Sequence, residues 1–211
     1  GSIRMPSKET FLSLQKLGIP VENCHYNRYD SLATEEDLLA MFEVLLRYKD
    51  CKGNNPVITA NCVVANPDFD KIKESNYKEY HYELFTNTLK KYPGCENSFN
   101  LWMKGFQKGI FIPQFHGREH LNVNRWINAL NSGSEETQQS FDRKMFGIST
   151  NISREKRKSY MAAFDMDDIG ELETQKEIIS DGLRIFKQLF GFNSKSFIAP
   201  NYVWHRSLEK T

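Results

Sequence analysis

The chain has 211 residues, 39% hydrophobic and 13% aromatic, enough apolar side chain to bury one sizeable core, and it reads as a single domain. Its 28 Lys+Arg against 27 Asp+Glu leave a net charge of +1, which gives no electrostatic footprint for nucleic acid or for an anionic membrane surface, and neither is expected as a partner. No apolar run reaches the roughly 20 residues that span a bilayer. The cysteines Cys24, Cys51, Cys62 and Cys95 are widely separated, without a CxxC spacing, and read as free thiols.

Pro6 and Ser7 open a first helix, in which Phe11, Leu14 and Leu17 recur at helical spacing until Gly18 stops it. Residues 19–33 carry no period and read as loop. Thr34, with Asp37 three residues later, forms a capping box for a helix through Tyr48 that aligns Leu38, Met41, Phe42 and Leu45 on one face. Val57 to Ala65 is almost continuously apolar and predicts a strand buried on both faces. A short helix is expected over 69–74, a strand-like aromatic stretch over 77–85, and a helix over 98–106, which Gly109 releases into an apolar strand ending near Phe115. Helices follow over 122–130 and 135–145, then an exposed loop over 147–157 and a short strand over 159–164. A long helix over 171–190, stopped by Gly191, precedes a last strand over 197–199. Such alternation predicts a parallel sheet or barrel wrapped by helices, with the strands near 57–64, 110–115, 159–164 and 197–199 as parallel neighbours.

In folds of that kind the functional site lies at the carboxyl ends of the strands. That rule selects Asn61 and Asn66, His81, His116 with His120, Asp165 with Asp167 and Asp168, and Asn201 through His205. The pair His116 and His120 stands out. Neutral imidazole is the commonest protein ligand for zinc and similar ions, and these two rings follow directly on a buried strand. A catalytic metal needs about three protein ligands and an open position, so a further group must come from elsewhere. Asp30, Asp68 and Asp165 are the carboxylates considered for it; spacing selects none of them, and Asp165 stands first as a catalytic candidate.

His116-Gly117-Arg118-Glu119-His120 resembles the HxxxH metal motif of polysaccharide deacetylases, and Phe197-Ile198-Ala199-Pro200-Asn201-Tyr202 resembles that family's later Arg-x-Pro-Tyr segment. The order and separation of the two segments also match. The resemblance covers most of the chain and implies an α/β fold, a distorted and incomplete (β/α) barrel. It further implies a hydrolase that removes acetyl groups from a carbohydrate with the help of a divalent metal, zinc first among them. His116 and His120 would then bind the metal, and Pro200, Asn201, Tyr202, Trp204 and Asn61 would line the substrate groove. Two departures accompany it. Ile198 stands where the family has arginine and Asn201 where it has tyrosine, and no residue here matches the aspartate pair that opens the family's pattern. The chain is accordingly expected to be a fragment of a longer barrel, low in activity, and completed by further segments or by a second copy.

Two other readings remain open. The same five residues match H-x-x-E-H, an inverted zinc-peptidase motif in which Glu119 would be the general base and all five would lie on one helix. Pro113 and Gly117 oppose a continuous helix there. A non-catalytic carbohydrate-binding barrel would instead use Tyr202, Trp204 and Trp126 as stacking platforms. Under the deacetylase reading, His116 sits at a strand end and Glu119 turns away, capping the next helix.

Overall fold

In the computed structural model, residues 5–29, 31–153 and 156–210 are described. Ser7 accepts a hydrogen bond from the Thr10 amide and starts α1 (Lys8–Lys16). The stretch that reads as loop holds a 3-10 turn and the short α2 (His25–Tyr29). Thr34 and Asp37 then close the reciprocal capping box of α3 (Glu35–Arg47): Thr34 Oγ1 accepts from the Asp37 amide, and the Asp37 carboxylate accepts from the Thr34 amide. The remaining elements are β1 (Ile58–Val63), β2 (Ala65–Pro67), α4 (Phe69–Glu74), β3 (Tyr82–Leu84), α5 (Phe85–Leu89), α6 (Ser98–Gln107) and β4 (Phe111–Gly117), followed by α7 (Val123–Asn131), α8 (Glu135–Phe141), β5 (Ser149–Ser153), β6 (Lys156–Ser159) and α9 (Leu172–Phe190).

β1 and β4 are parallel, with Ile58 opposite Phe111 and Cys62 opposite Phe115, and a parallel bridge from Phe115 to Phe197 adds a third position beyond β4. Two further pairings are antiparallel, β2 with β3 and β5 with β6. The result is a mixed α/β fold with small sheets and no closed barrel among the described residues. No helix among them is long and apolar enough to cross a membrane.

Three of the four expected parallel strands are therefore present, at least as a bridge, and one is not. Residues 160–165 form turns, because their backbone groups are satisfied by side chains rather than by a neighbouring strand. Asn122 Nδ2 donates to the carbonyls of Ala162 and Asp165, and Arg125 donates to those of Ser159 and Asp165. The expected loop over 147–157 instead holds most of the β5/β6 hairpin, whose sequence is polar and gave no period to read. The aromatic stretch over 77–85 contributes only three strand residues, since Asn76 and Tyr77 both turn to positive φ. α8 stops at Phe141, where Lys144 in a left-handed conformation breaks the helix.

α6 and α9 pack on β4. Phe115 meets Phe186 edge-on, and Phe42, Trp102 and Phe111 form a second aromatic contact set on the same side. Each such fully buried side chain contributes about 1.5–3 kcal/mol of burial free energy. A separate cluster surrounds Trp126, against Phe69, Phe141 and Phe146. Trp126 is fully buried there, so it cannot be the sugar platform that the sequence allowed.

Gly182 lets α9 approach β4 closely. A Cβ on it would lie 2.7 Å from Phe115 Cζ and 3.0 Å from Arg118 Cβ. In an exposed helix, alanine would stabilise by up to about 1 kcal/mol over glycine. Here overpacking reverses the sign. Gly182→Ala is expected to destabilise the protein by about 1–3 kcal/mol in urea denaturation; a stabilised variant would show that α9 does not seat on β4 in this way.

Candidate functional site

Alternation along β4 turns Phe115 toward α9 and places Gln114 and His116 on the opposite face, together with Asn61, which stands opposite Gln114 in the β1 register. Gln114 Oε1 accepts from the amides of Lys195 and Ser196, and the Phe115 amide donates to Ser194 Oγ. These bonds fix the segment that leads into residues 197–202. His116 Nδ1 then lies 2.5 Å from the carbonyl oxygen of Ile198. A carbonyl can only accept, so Nδ1 carries the proton, and in the neutral ring the lone pair is on Nε2. That is the tautomer a metal-binding imidazole needs, with its other nitrogen donating to a backbone carbonyl.

The turn after His116 depends on Gly117, at φ +135, where a Cβ would come within 3.1 Å of the Glu119 carbonyl. The Arg118 carbonyl accepts from the amides of Val64 and Ala65, which ties the turn to the end of β1. His120 thereby returns beside His116, the ring centroids 5.1 Å apart at a steep angle, with His120 only 5% exposed.

Between the two imidazoles, Arg118 and Glu119 are buried and joined by two bonds, Nε to Oε2 at 2.7 Å and Nη2 to Oε1 at 2.8 Å. Arg118 also donates to Asp181 of α9 at 3.2 Å and lies over the Tyr82 ring, 4.5 Å from its centre, while the Tyr82 hydroxyl donates to the same Asp181 at 2.7 Å. Burial pushes the Glu119 carboxyl above the usual carboxylate range, and the Arg118 charge opposes that push. For Arg118, burial disfavours the charge but Glu119 overrides it and holds the guanidinium above its ordinary range. Asp181 is held low despite partial burial by its bonds to Tyr82, Arg184 and Arg118.

The segment lacks the single-helix geometry expected under the H-x-x-E-H reading. His116 and Gly117 belong to β4 and the following residues form no helix, so the five residues do not share a helical face. Glu119 is committed to Arg118. It does not cap α7 either; Asn122 does so, accepting from the Arg125 amide.

The other candidates divide. Asp165 accepts from Arg125 at 2.8 Å, and Arg125 also binds Asp167 through two further bonds. Asp68 is the N-cap of α4. Asp30 lies outside the described residues. Asn66 is buried and donates to Thr88, and His81 lies 3.5 Å from Glu79. Among the described residues no group of three or more His, Cys, Asp or Glu side chains is gathered as a metal cage. Pro200 is buried, and the position of a Cβ on Gly117 lies 3.5 Å from its Cγ, so this segment does form a wall beside the histidine turn. Asn201 and Tyr202 both hold positive φ, and Tyr202 and Trp204 are 80% and 47% exposed. All four cysteines are free; Cys62 is buried, which pushes its thiol up to about 12.

Sequence reasoning missed both arginine clusters. Neither has a local mark in the sequence, because Asp181 stands 63 residues from Arg118 and Asp167 42 residues from Arg125. Asp167 yields a pH test. The hydrogen bonds from Arg125 and then Lys158 hold its pKa below the ordinary value against partial desolvation. A depressed carboxylate stabilises the fold above its unfolded pKa of about 4 and loses that contribution as pH falls through the folded value. Asp167→Asn should therefore be less stable than the parent at pH 7, with the gap narrowing below about pH 4. Urea titrations across that range measure it, and a gap independent of pH would refute the ionic role.

Comparison of the chain with family models, curated proteins and solved structures found no match.

Proposed function

We propose that His116 and His120 are two ligands of a divalent-metal centre, zinc first among candidates, in a hydrolase of the polysaccharide deacetylase type acting on an acetylated carbohydrate. The observation that carries this reading is the His116 tautomer, set by the Ile198 carbonyl at 2.5 Å, with His120 beside it at a strand end. We also read the parallel positions at β1, β4 and Phe197 as an arc of a (β/α) barrel, which further segments or a second copy of the chain would complete.

The donor set fits a zinc-class ion in kind, two neutral imidazoles, and needs further ligands in number. When bound, such an ion supplies Lewis acidity toward an acyl carbonyl and toward water. The chain's own residues orient the reactants. The Ile198 carbonyl fixes the His116 ring, and the Arg118–Glu119 pair holds the turn that returns His120. Asn61 and the wall from Pro200 to Tyr202, with Trp204 beyond it, offer an amide and exposed aromatic faces suited to sugar hydroxyls and ring C–H groups. The same exposed aromatics would serve a purely carbohydrate-binding role.

Titration of the 211-residue chain with Zn²⁺ or Co²⁺ is expected to show weak binding, reduced about tenfold or more by His116→Ala or His120→Ala, with little deacetylation. Binding that both substitutions leave unchanged would overturn the assignment. Glu119→Gln provides a second discrimination: loss of metal-dependent hydrolysis with metal affinity retained would favour the peptidase reading. Tight binding together with deacetylation would place the third ligand and the base within the chain, Asp165 first.

A further inference from the structure

A cleft of about 600 Å³ opens between α1 and α2, lined by residues that the histidine site does not use. The volume falls within the ~300–1,000 Å³ typical of small-molecule sites. Its apolar wall includes Met5, Phe11 and Leu12, and Leu12, on a well-formed helix, is 44% exposed among the described residues.

Among the polar residues that line the cleft, Asn27 is buried, at 3% exposed. Its Nδ2 donates to the carbonyls of Val21 and Gly147, both at 3.0 Å. Two carbonyl partners on one atom fix the orientation of the amide, because exchanging N and O would set oxygen against oxygen twice. Oδ1 is thus identified as the other atom, and it is buried with no hydrogen-bond partner among the described residues. A buried acceptor left unmade destabilises the fold. Such a group beside a cavity marks a place where a bound molecule supplies the missing donor.

The charged side chains that line the cleft among the described residues are cationic. Lys8 and Arg28 line it, and no Asp or Glu does so among the described residues. The Arg28 guanidinium sits 5.8 Å from the centre of the Phe11 ring, which places the cation next to the apolar wall. The amino end of α1, a helix of nine residues, opens on the same side through Ser7 and Lys8 and adds its partial positive charge. From these features we infer that the α1–α2 cleft binds an organic acid that combines an apolar body, an anionic group facing Arg28 and Lys8, and an N–H or O–H that donates to Asn27 Oδ1.

A probe with that chemistry is 6-anilinonaphthalene-2-sulfonate, which carries an aromatic body, a sulfonate and one amine N–H. Fluorescence titration of the full 211-residue chain should show a single saturable site that weakens as salt is raised. Arg28→Glu and Leu12→Glu change exposed side chains and should leave the circular dichroism unaltered, while each lowers affinity about tenfold. Asn27 holds the local fold together through Nδ2, so its acceptor is tested from the ligand side: the N-methyl derivative of the probe lacks the donor and should bind at least about fivefold more weakly. Non-saturable binding, or affinities that neither substitution changes, would overturn the site. Equal binding of the two probes would overturn the role of Asn27 Oδ1.

Discussion

The Arg118–Glu119 pair is the interaction on which the candidate site rests. It lies within the turn that brings His120 back to His116, and both partners are removed from water. Isolated, the Glu119 charge would be prohibitive at that depth; two parallel hydrogen bonds from Arg118 satisfy it, and deleting Arg118 would leave it uncompensated at a cost of about 3–5 kcal/mol. The guanidinium also reaches Asp181 on α9 and the Tyr82 face on β3. One side chain thereby registers three elements against one another: a turn after β4, the long helix behind the sheet, and a short strand 36 positions earlier in the chain, Tyr82 against Arg118. Gly182 belongs to the same arrangement, since its missing Cβ lets Phe115 and Arg118 approach α9.

The loops around the site share a construction. Gln114 receives the 194–196 turn, Asn122 and Arg125 receive the 159–165 segment, and Asn27 binds the Val21 and Gly147 carbonyls. In each case a buried polar side chain replaces the hydrogen bonds that a neighbouring strand would provide. This is why the chain can hold long buried connections with little sheet. It also explains why apolar content alone misleads: Tyr160 to Phe164 is buried as a strand would be, yet Asn122 binds the Tyr160 and Ala162 carbonyls and Arg125 binds the flanking Ser159 and Asp165 carbonyls.

That distinction sets what was legible in the sequence. The helices that carry a local signature were read nearly to their ends: α3 from its capping box, α9 from its apolar stripe and the Gly191 stop, and α6 from Phe99, Trp102 and Phe106. β4 and the position of His116 at its end were likewise readable, because an apolar run meets a glycine-containing turn. Partners distant in the chain were not. Nothing near Arg118 announces Asp181, and nothing near Asn122 announces Ala162 or Asp165. The hairpin β5/β6 was missed for a different reason, since its sequence is polar and shows no hydrophobic period.

β1 carries the last instructive difference. A run of apolar residues suggested a strand covered on both faces, but Thr59 and Asn61 are exposed while Cys62 and Val63 are buried. Thr59 and Asn61 already stand at a spacing of two, the period of a strand with one open face. Their face is the one on which Gln114 and His116 lie across the parallel register, opposite the side that Phe115 presents to α9. The sheet therefore separates an apolar side, sealed by α6 and α9, from a polar side that leads to the histidine turn. Thr59 and Asn61 are exposed on that side, whereas Gln114 is buried there and binds the 194–196 turn, and the face ends at His116, whose Nδ1 meets the Ile198 carbonyl.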